Sequence, residues 1–175
     1  MKDRLIILLS LFTIVFATLS LCACGEKSAR HLGMIERSGL DIIREDNVIL
    51  GDIHWQLLKV EEVGPEIVGE FGTLEAIQGR FIYIEFSLEN SGQEIRQLFD
   101  LKVIDDKGRI YSICNEAYGY FTGAPSACVL QDIIPDMERT FSASFDIPLD
   151  SVDLILEVTD LKIPPREKAY IDLGL

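Results

Sequence analysis

Four cysteines, two histidines and 29 carboxylates are the groups of this 175-residue chain that could do chemistry, and their spacing decides which chemistry. His31 and His54 have no partner at metal-ligand or triad spacing, and His54, beside Trp55 in a strand-like stretch, reads as a strand-face residue. Serines are plentiful, but there is no Gly-x-Ser-x-Gly elbow, phosphate loop or dinucleotide fingerprint. Carboxylates crowd three places: Glu61 to Glu75, Asp105–Asp106, and Asp132, Asp136 and Glu138 around Pro135. Calcium needs roughly six to eight converging oxygens. Asp105–Asp106 and Asp132–Asp136 could each supply two, but no Asp-x-Asp-x-Asp-Gly loop is present, and a solvated acidic surface is the simpler reading. No catalytic residue, metal site or cofactor is assigned.

Cys114 and Cys128 bracket a loop of 13 residues, Asn115 to Ala127. Joined, they would stabilise the fold by about 3 kcal/mol in the chain-entropy account. Separate, they would be two small buried hydrophobes. Two thiolates without further soft ligands nearby do not make a metal site. The compartment decides between the first two states, and the N-terminal residues speak to it. Lys2 and Arg4 precede a run without charge from Leu5 to Ala23, the pattern of a secretory signal. The run is slightly short of the roughly 20 residues of a spanning helix. Leu21-Cys22-Ala23-Cys24 resembles the lipobox of bacterial lipoproteins, with Leu at −3, a small residue at −1 and Cys at the first mature position. The resemblance implies that the Cys24 thiol takes up a diacylglyceryl group. Cys22, behind bulky Leu21, fits less well. A plain signal peptide cut after a small residue is the alternative. Two or more acyl chains, each buried CH₂ contributing about 0.8 kcal/mol, would tether the chain firmly to the membrane. Outside that membrane an even pair of thiols is oxidised, which favours a Cys114–Cys128 disulfide.

The formal net charge is −13, and removal of residues 1–23 makes it −14. Such a charge repels phosphates, so nucleic acid is not expected as a partner. It also repels anionic headgroups, which favours an acyl tether over adsorption. Solubility explains the charge most simply, and a basic partner is the sharper alternative. Within the Cys114–Cys128 loop, Tyr118, Tyr120 and Phe121 with glycines have the composition of a binding loop. The same aromatics could instead fold back and cap the domain.

The elements that would position these groups are strands. Phe81 to Leu88, Phe141 to Ile147 and Val152 to Val158 alternate apolar and polar residues, the mark of half-buried antiparallel strands. Asp105-Asp106-Lys107-Gly108 is a hairpin signal with Gly where positive φ is needed. Pro135-Asp136, Pro148 and Pro164-Pro165 break the chain between strands. Ile53 to Val63 is mixed, with Trp55 and Leu57 on one face and Leu58 and Val60 on the other, which suggests a bulge or a strand covered on both sides. About seven short strands and no long helix predict a two-layer sandwich with Trp55, Phe86, Phe99, Phe141 and Phe145 in its core.

These features in this order resemble a family of bacterial lipoproteins that carry an uncharacterised immunoglobulin-like domain, similar to a secreted mycobacterial immunoprotective antigen. Members show an early aromatic strand, a "fxxvxfxxxN" strand, a "dxxGxxY" hairpin, a Pro-centred turn and a strand ending in "fdip". Here these are Trp55, Phe81 to Asn90, Asp105 to Tyr111, Pro135 to Glu138, and Phe145 to Pro148. Pro135-Asp136 departs from the family's frequent Pro-Gly. The resemblance implies an all-β, immunoglobulin-like antiparallel β-sandwich and a location at the envelope, with no activity. The expected organisation is a signal peptide at 1–23, a stalk at 24–47 (holding His31), the sandwich at 48–163, and a tail or short edge strand at 164–175. The expected function is that of a non-enzymatic, membrane-tethered module binding an envelope or extracellular protein. A small-ligand or Ca²⁺ sensor is the alternative, and an enzyme comes third.

Overall fold

The structure is a computed structural model and describes residues 31–34, 37, 39–70, 72–128 and 130–175. The expected signal peptide at 1–23 and the expected acylation site Cys24 lie outside these residues. In chain order the strands are β1 (His31–Met34), β2 (Ile42–Ile43), β3 (Asn47–Leu50), β4 (Ile53–Gly64), β5 (Glu66–Gly69), β6 (Gly72–Glu75), β7 (Gly79–Asn90) and β8 (Arg96–Leu98). They continue with β9 (Lys102–Ile104), β10 (Arg109–Ser112), β11 (Ser126–Ala127), β12 (Gln131–Ile133), β13 (Glu138–Pro148), β14 (Ile155–Thr159) and β15 (Lys168–Asp172). A 3₁₀ helix, Asn115–Tyr120, lies between β10 and β11.

The strands form a β-sandwich, as the alternation predicts. One sheet has the order β1-β10-β9-β14-β15-β2 and the other β11-β13-β7-β4-β3. Two short ribbons, β12-β8 and β5-β6, flank them. The long β13–β7–β4 pairings are antiparallel, and the inward side chains of β7 (Ile82, Ile84, Phe86, Leu88) meet Phe141, Phe145 and Ile147 of β13 in one core. Trp55 joins the two sheets, stacking on Phe86 at 5.5 Å and donating from Nε1 to the Thr159 carbonyl at 2.8 Å. In β4 the register shifts between Leu57 and Lys59. This bulge turns Leu58 outward and restores Val60 to the core, which accounts for the mixed pattern. Gly108 takes φ +75° in its hairpin, as its position requires.

Four expectations change. The stretch read as a stalk is partly sheet, because β1 pairs with β10, and β2 with β15. The stretch read as a tail contains β15, which lies between β14 and β2 rather than at the sheet edge. Val152 is exposed because Asp153, at φ +50°, turns the chain before β14 starts. Phe99 is 44% exposed, since β8 ends at Leu98 and the chain leaves its ribbon there before β9 begins at Lys102. Leu101 and Val103, two and four residues further on, do reach the core.

Candidate functional site

Cys114 and Cys128 meet the same edge of β13. The Cys114 N–H donates to the Ser144 carbonyl at 2.7 Å and the Cys128 N–H to the Ser142 carbonyl at 3.3 Å. Carbonyls two residues apart on a strand point the same way and lie about 6.8 Å apart. That separation is near the upper limit of the Cα distance a disulfide spans. Both thiols are free, not joined as the compartment argument expects, and they line a common cavity of about 20 Å³ with Ser142 and Ser144. Burial pushes the Cys128 thiol up to about 12 and raises that of Cys114, so neither is a ready thiolate.

The loop they bracket folds back. Phe121 packs its ring 4.4 Å from that of Tyr83, and Tyr120 and Phe121 border a small second core of Ile67, Phe81 and Ala117. This cover buries the outer face of β7, which alternation alone leaves exposed. Of the three aromatics proposed for binding, Tyr118 alone keeps large exposure, at 45%.

The acidic hairpin is also committed internally. Asp105 is fully buried. Its carboxylate accepts from Arg109 Nε at 2.6 Å, and from the Tyr111 hydroxyl and Ser151 Oγ, each at 3.0 Å. Burial would raise its pKa, but the Arg109 backbone and guanidinium donors, Tyr111 and Ser151 outweigh that and hold it below the usual carboxylate range. Lys107 and Arg109 pair with Asp150, whose pKa they lower to about 2. His54 faces Glu89 at 3.7 Å on an exposed strand face. Among the described residues no group of three or more His, Cys, Asp or Glu side chains is arranged to hold a metal ion.

A further feature was not singled out by sequence reasoning. Two adjoining depressions, of about 300 and about 490 Å³, lie at the end of the sandwich where β9, β14 and β15 meet the β8–β12 ribbon. Both are lined by Gln97, Phe99, Leu161, Lys162 and Ile163. Lys102, Lys168 and Glu157 form the wall of the first, with Trp55 at its floor. Arg96 and Arg166 border the second. Asn90, the last residue of the "fxxvxfxxxN" strand, holds the ribbon in place. Its buried amide donates to the carbonyls of Glu94 at 2.8 Å and Ile133 at 3.0 Å. The signal that marks this end in the sequence is the basic run Lys162-Ile163-Pro164-Pro165-Arg166-Glu167-Lys168 in an otherwise acidic chain.

With that geometry the fold can be matched. No protein-family model and no curated sequence matches the chain. It is similar to the yjhA protein of Bacillus subtilis, at 14% identity and a TM-score of 0.53 over 75% of this chain and 97% of that one. It is also similar to a conserved hypothetical protein of Bacillus anthracis, at 16% identity and a TM-score of 0.52 over 72% and 92%. It shares their fold. The secreted protein MPT63 of Mycobacterium tuberculosis aligns at 11% identity and a TM-score of 0.49 over 76% and 97%.

Proposed function

We propose that this chain is a lipid-anchored β-sandwich of the bacterial envelope that binds a protein partner rather than catalysing a reaction. The observation that carries the reading is Leu21-Cys22-Ala23-Cys24 at the exit of a charge-free run, behind Lys2 and Arg4. The acylated thiol of Cys24 holds the protein at the outer surface of the cytoplasmic membrane. The site geometry agrees with binding over catalysis in one specific way. The best-buried carboxylate, Asp105, is consumed by structural donors, and the thiols of Cys114 and Cys128 are held protonated. Mass spectrometry of the mature N-terminus tests the anchor. The expected product begins at a diacylglyceryl-modified Cys24, and Cys24→Ala moves the protein from the membrane fraction to the soluble one. An intact Met1, or an unmodified Cys24 in membrane-retained protein, overturns it.

A further inference from the structure

We infer that the end of the sandwich around Phe99 and Lys162 is a docking surface for the anionic phospholipid bilayer to which the chain is tethered. The inference rests on the anchor at Cys24 and goes beyond it by assigning the face that meets the lipid.

Strand direction supplies the first argument. β1 runs antiparallel to β10, with His31 opposite Tyr111 and Met34 opposite Arg109. The chain therefore enters the sheet at the end marked by the cross-strand row Ser112, Lys102, Glu157 and Tyr170, one position beyond Tyr111. That is the end where the two depressions lie. His31 lies seven steps along the chain from Cys24, with six residues between them. Fully extended, those steps reach about 25 Å at most. Lys102 is two strands from β1 and Lys168 four, so lateral offsets are about 10 and 19 Å at a strand spacing of about 4.8 Å. A tether of that length lets this end of the molecule reach the bilayer surface.

Charge is the second argument. From Arg37 onward the chain has 12 Lys and Arg against 26 Asp and Glu. The two depressions are lined by five cations, Arg96, Lys102, Lys162, Arg166 and Lys168, and three acids, Glu94, Asp100 and Glu157. Asp52 and Asp160, which pair with Arg96 and Lys162, bring this end to five cations and five acids, against seven cations and 21 acids for the rest, so the acidity of the body is cancelled here. Neighbouring acids steady the cations: Lys168 lies 3.1 Å from Glu157, and Lys162 3.7 Å from buried Asp160. Side-chain exposures of 36%, 28% and 45% keep Lys102, Lys162 and Lys168 open to solvent. A net anionic body whose charge is balanced at one end is turned by an anionic surface so that this end points toward it.

Exposed apolar groups are the third. Register pairs Gln97 with Asp132 on the outer face of the β8–β12 ribbon. Ile95, Phe99, Leu130 and Ile134 flank that pair and are all 44% exposed or more, and Ile163, across the second depression, is 77% exposed. Apolar tips beside lysines whose stems can lie along a lipid surface are the arrangement that enters the headgroup layer.

The test uses the full acylated chain in vesicles of phosphatidylglycerol and phosphatidylethanolamine, with hydrogen exchange and hydroxyl-radical oxidation read residue by residue. Residues 95–102, 130–134 and 160–168 are expected to be protected several-fold relative to the same protein in neutral detergent. Protection should fall in phosphatidylcholine vesicles or at about 0.5 M salt, where charges are screened within about 4 Å. Phe99→Ser, and separately Lys162→Gln/Arg166→Gln/Lys168→Gln, should reduce protection while leaving the protein membrane-bound through Cys24. Labelling that does not change at this end while the protein stays anchored overturns the docking surface and leaves the anchor intact. Protection that grows with protein density and is indifferent to lipid charge assigns the face to a second copy and also overturns it. Wild-type protein that lacks the acyl group defeats the anchor instead. The same footprint on chain added to the vesicles then decides docking alone, for it if these segments are protected and against it if they are not.

Discussion

Asp105 shows how much an acidic residue can do without chemistry. Its carboxylate gathers Arg109, Tyr111 and Ser151 and so clasps the β9–β10 hairpin to the segment between β13 and β14. Removing it leaves three side-chain donors and the N–H groups of Lys107 and Arg109 facing a vacated site, so Asp105→Ala is expected to destabilise the domain by about 3 kcal/mol in chemical denaturation. The sign of the pH dependence follows. Asp105 and Asp160 are depressed in the folded state, each by backbone N–H donors and cations that outweigh burial. Their stabilisation is present above the unfolded value near pH 4 (about 3.9) and is lost as pH falls through the lower folded values. Melting temperature should therefore fall below about pH 4, and Asp105→Asn should flatten that slope. The cysteines give a second residue-level expectation. With both thiols raised by burial, iodoacetamide at pH 8 should label Cys114 slowly and Cys128 hardly at all in the reduced native protein. Glutathione disulfide should join the two by thiol–disulfide exchange, releasing two glutathione thiols, and trypsin digests should contain the 114–128 cross-link. Rapid labelling of Cys128, or a digest with only mixed disulfides, would oppose the edge-to-edge placement on β13.

At the scale of elements, turns and covers decide what alternation leaves open. Asp136 occupies the place where the resembling family often has Gly, and it holds φ +56° while its N–H donates to the Asn90 carbonyl at 2.8 Å. Glycine takes that angle without a side-chain penalty, and Asp tolerates it. Asp136→Gly should be neutral within about 1 kcal/mol, while Asp136→Val should cost more, as thermal melting would show. The ribbon β5–β6 packs its Gly69 against the 3₁₀ segment so closely that a Cβ there would lie 2.8 Å from the Tyr120 carbonyl oxygen. Gly69→Ala should then lift the ribbon, cost about 1–3 kcal/mol and speed hydrogen exchange in residues 115–121. The period-two pattern places Tyr83 and Ser87 outside, which is the face they occupy. It cannot show that a loop some 35 residues downstream would bury Tyr83 there. Phe99 fails for the converse reason. It is apolar and in phase with Leu101 and Val103, but the chain changes layers between β8 and β9, so phase does not carry across.

For the whole molecule, Trp55 is the clearest reporter, because its ring stacks in one sheet and its N–H bonds the other. The main core is continuous between the sheets. Denaturation followed by Trp55 fluorescence and by far-ultraviolet circular dichroism should therefore give coincident midpoints, and separated ones would mean that the sheets unfold independently. Local order along the chain determined the β class, the hairpin at Gly108, the bulge in β4 and most of the core, because each depends on side-chain period or on a backbone angle that few residues adopt. Net charge, a sum over residues, was equally legible. What the sum hides is where the charges go. Arg96, Lys102 and Lys162 to Lys168 lie up to 72 residues apart, and only the pairing of β9, β14 and β15, with the β8–β12 ribbon beside them, gathers them at one end. Tertiary structure decided that end, since a field is set by distances in space and the chain records only distances along itself.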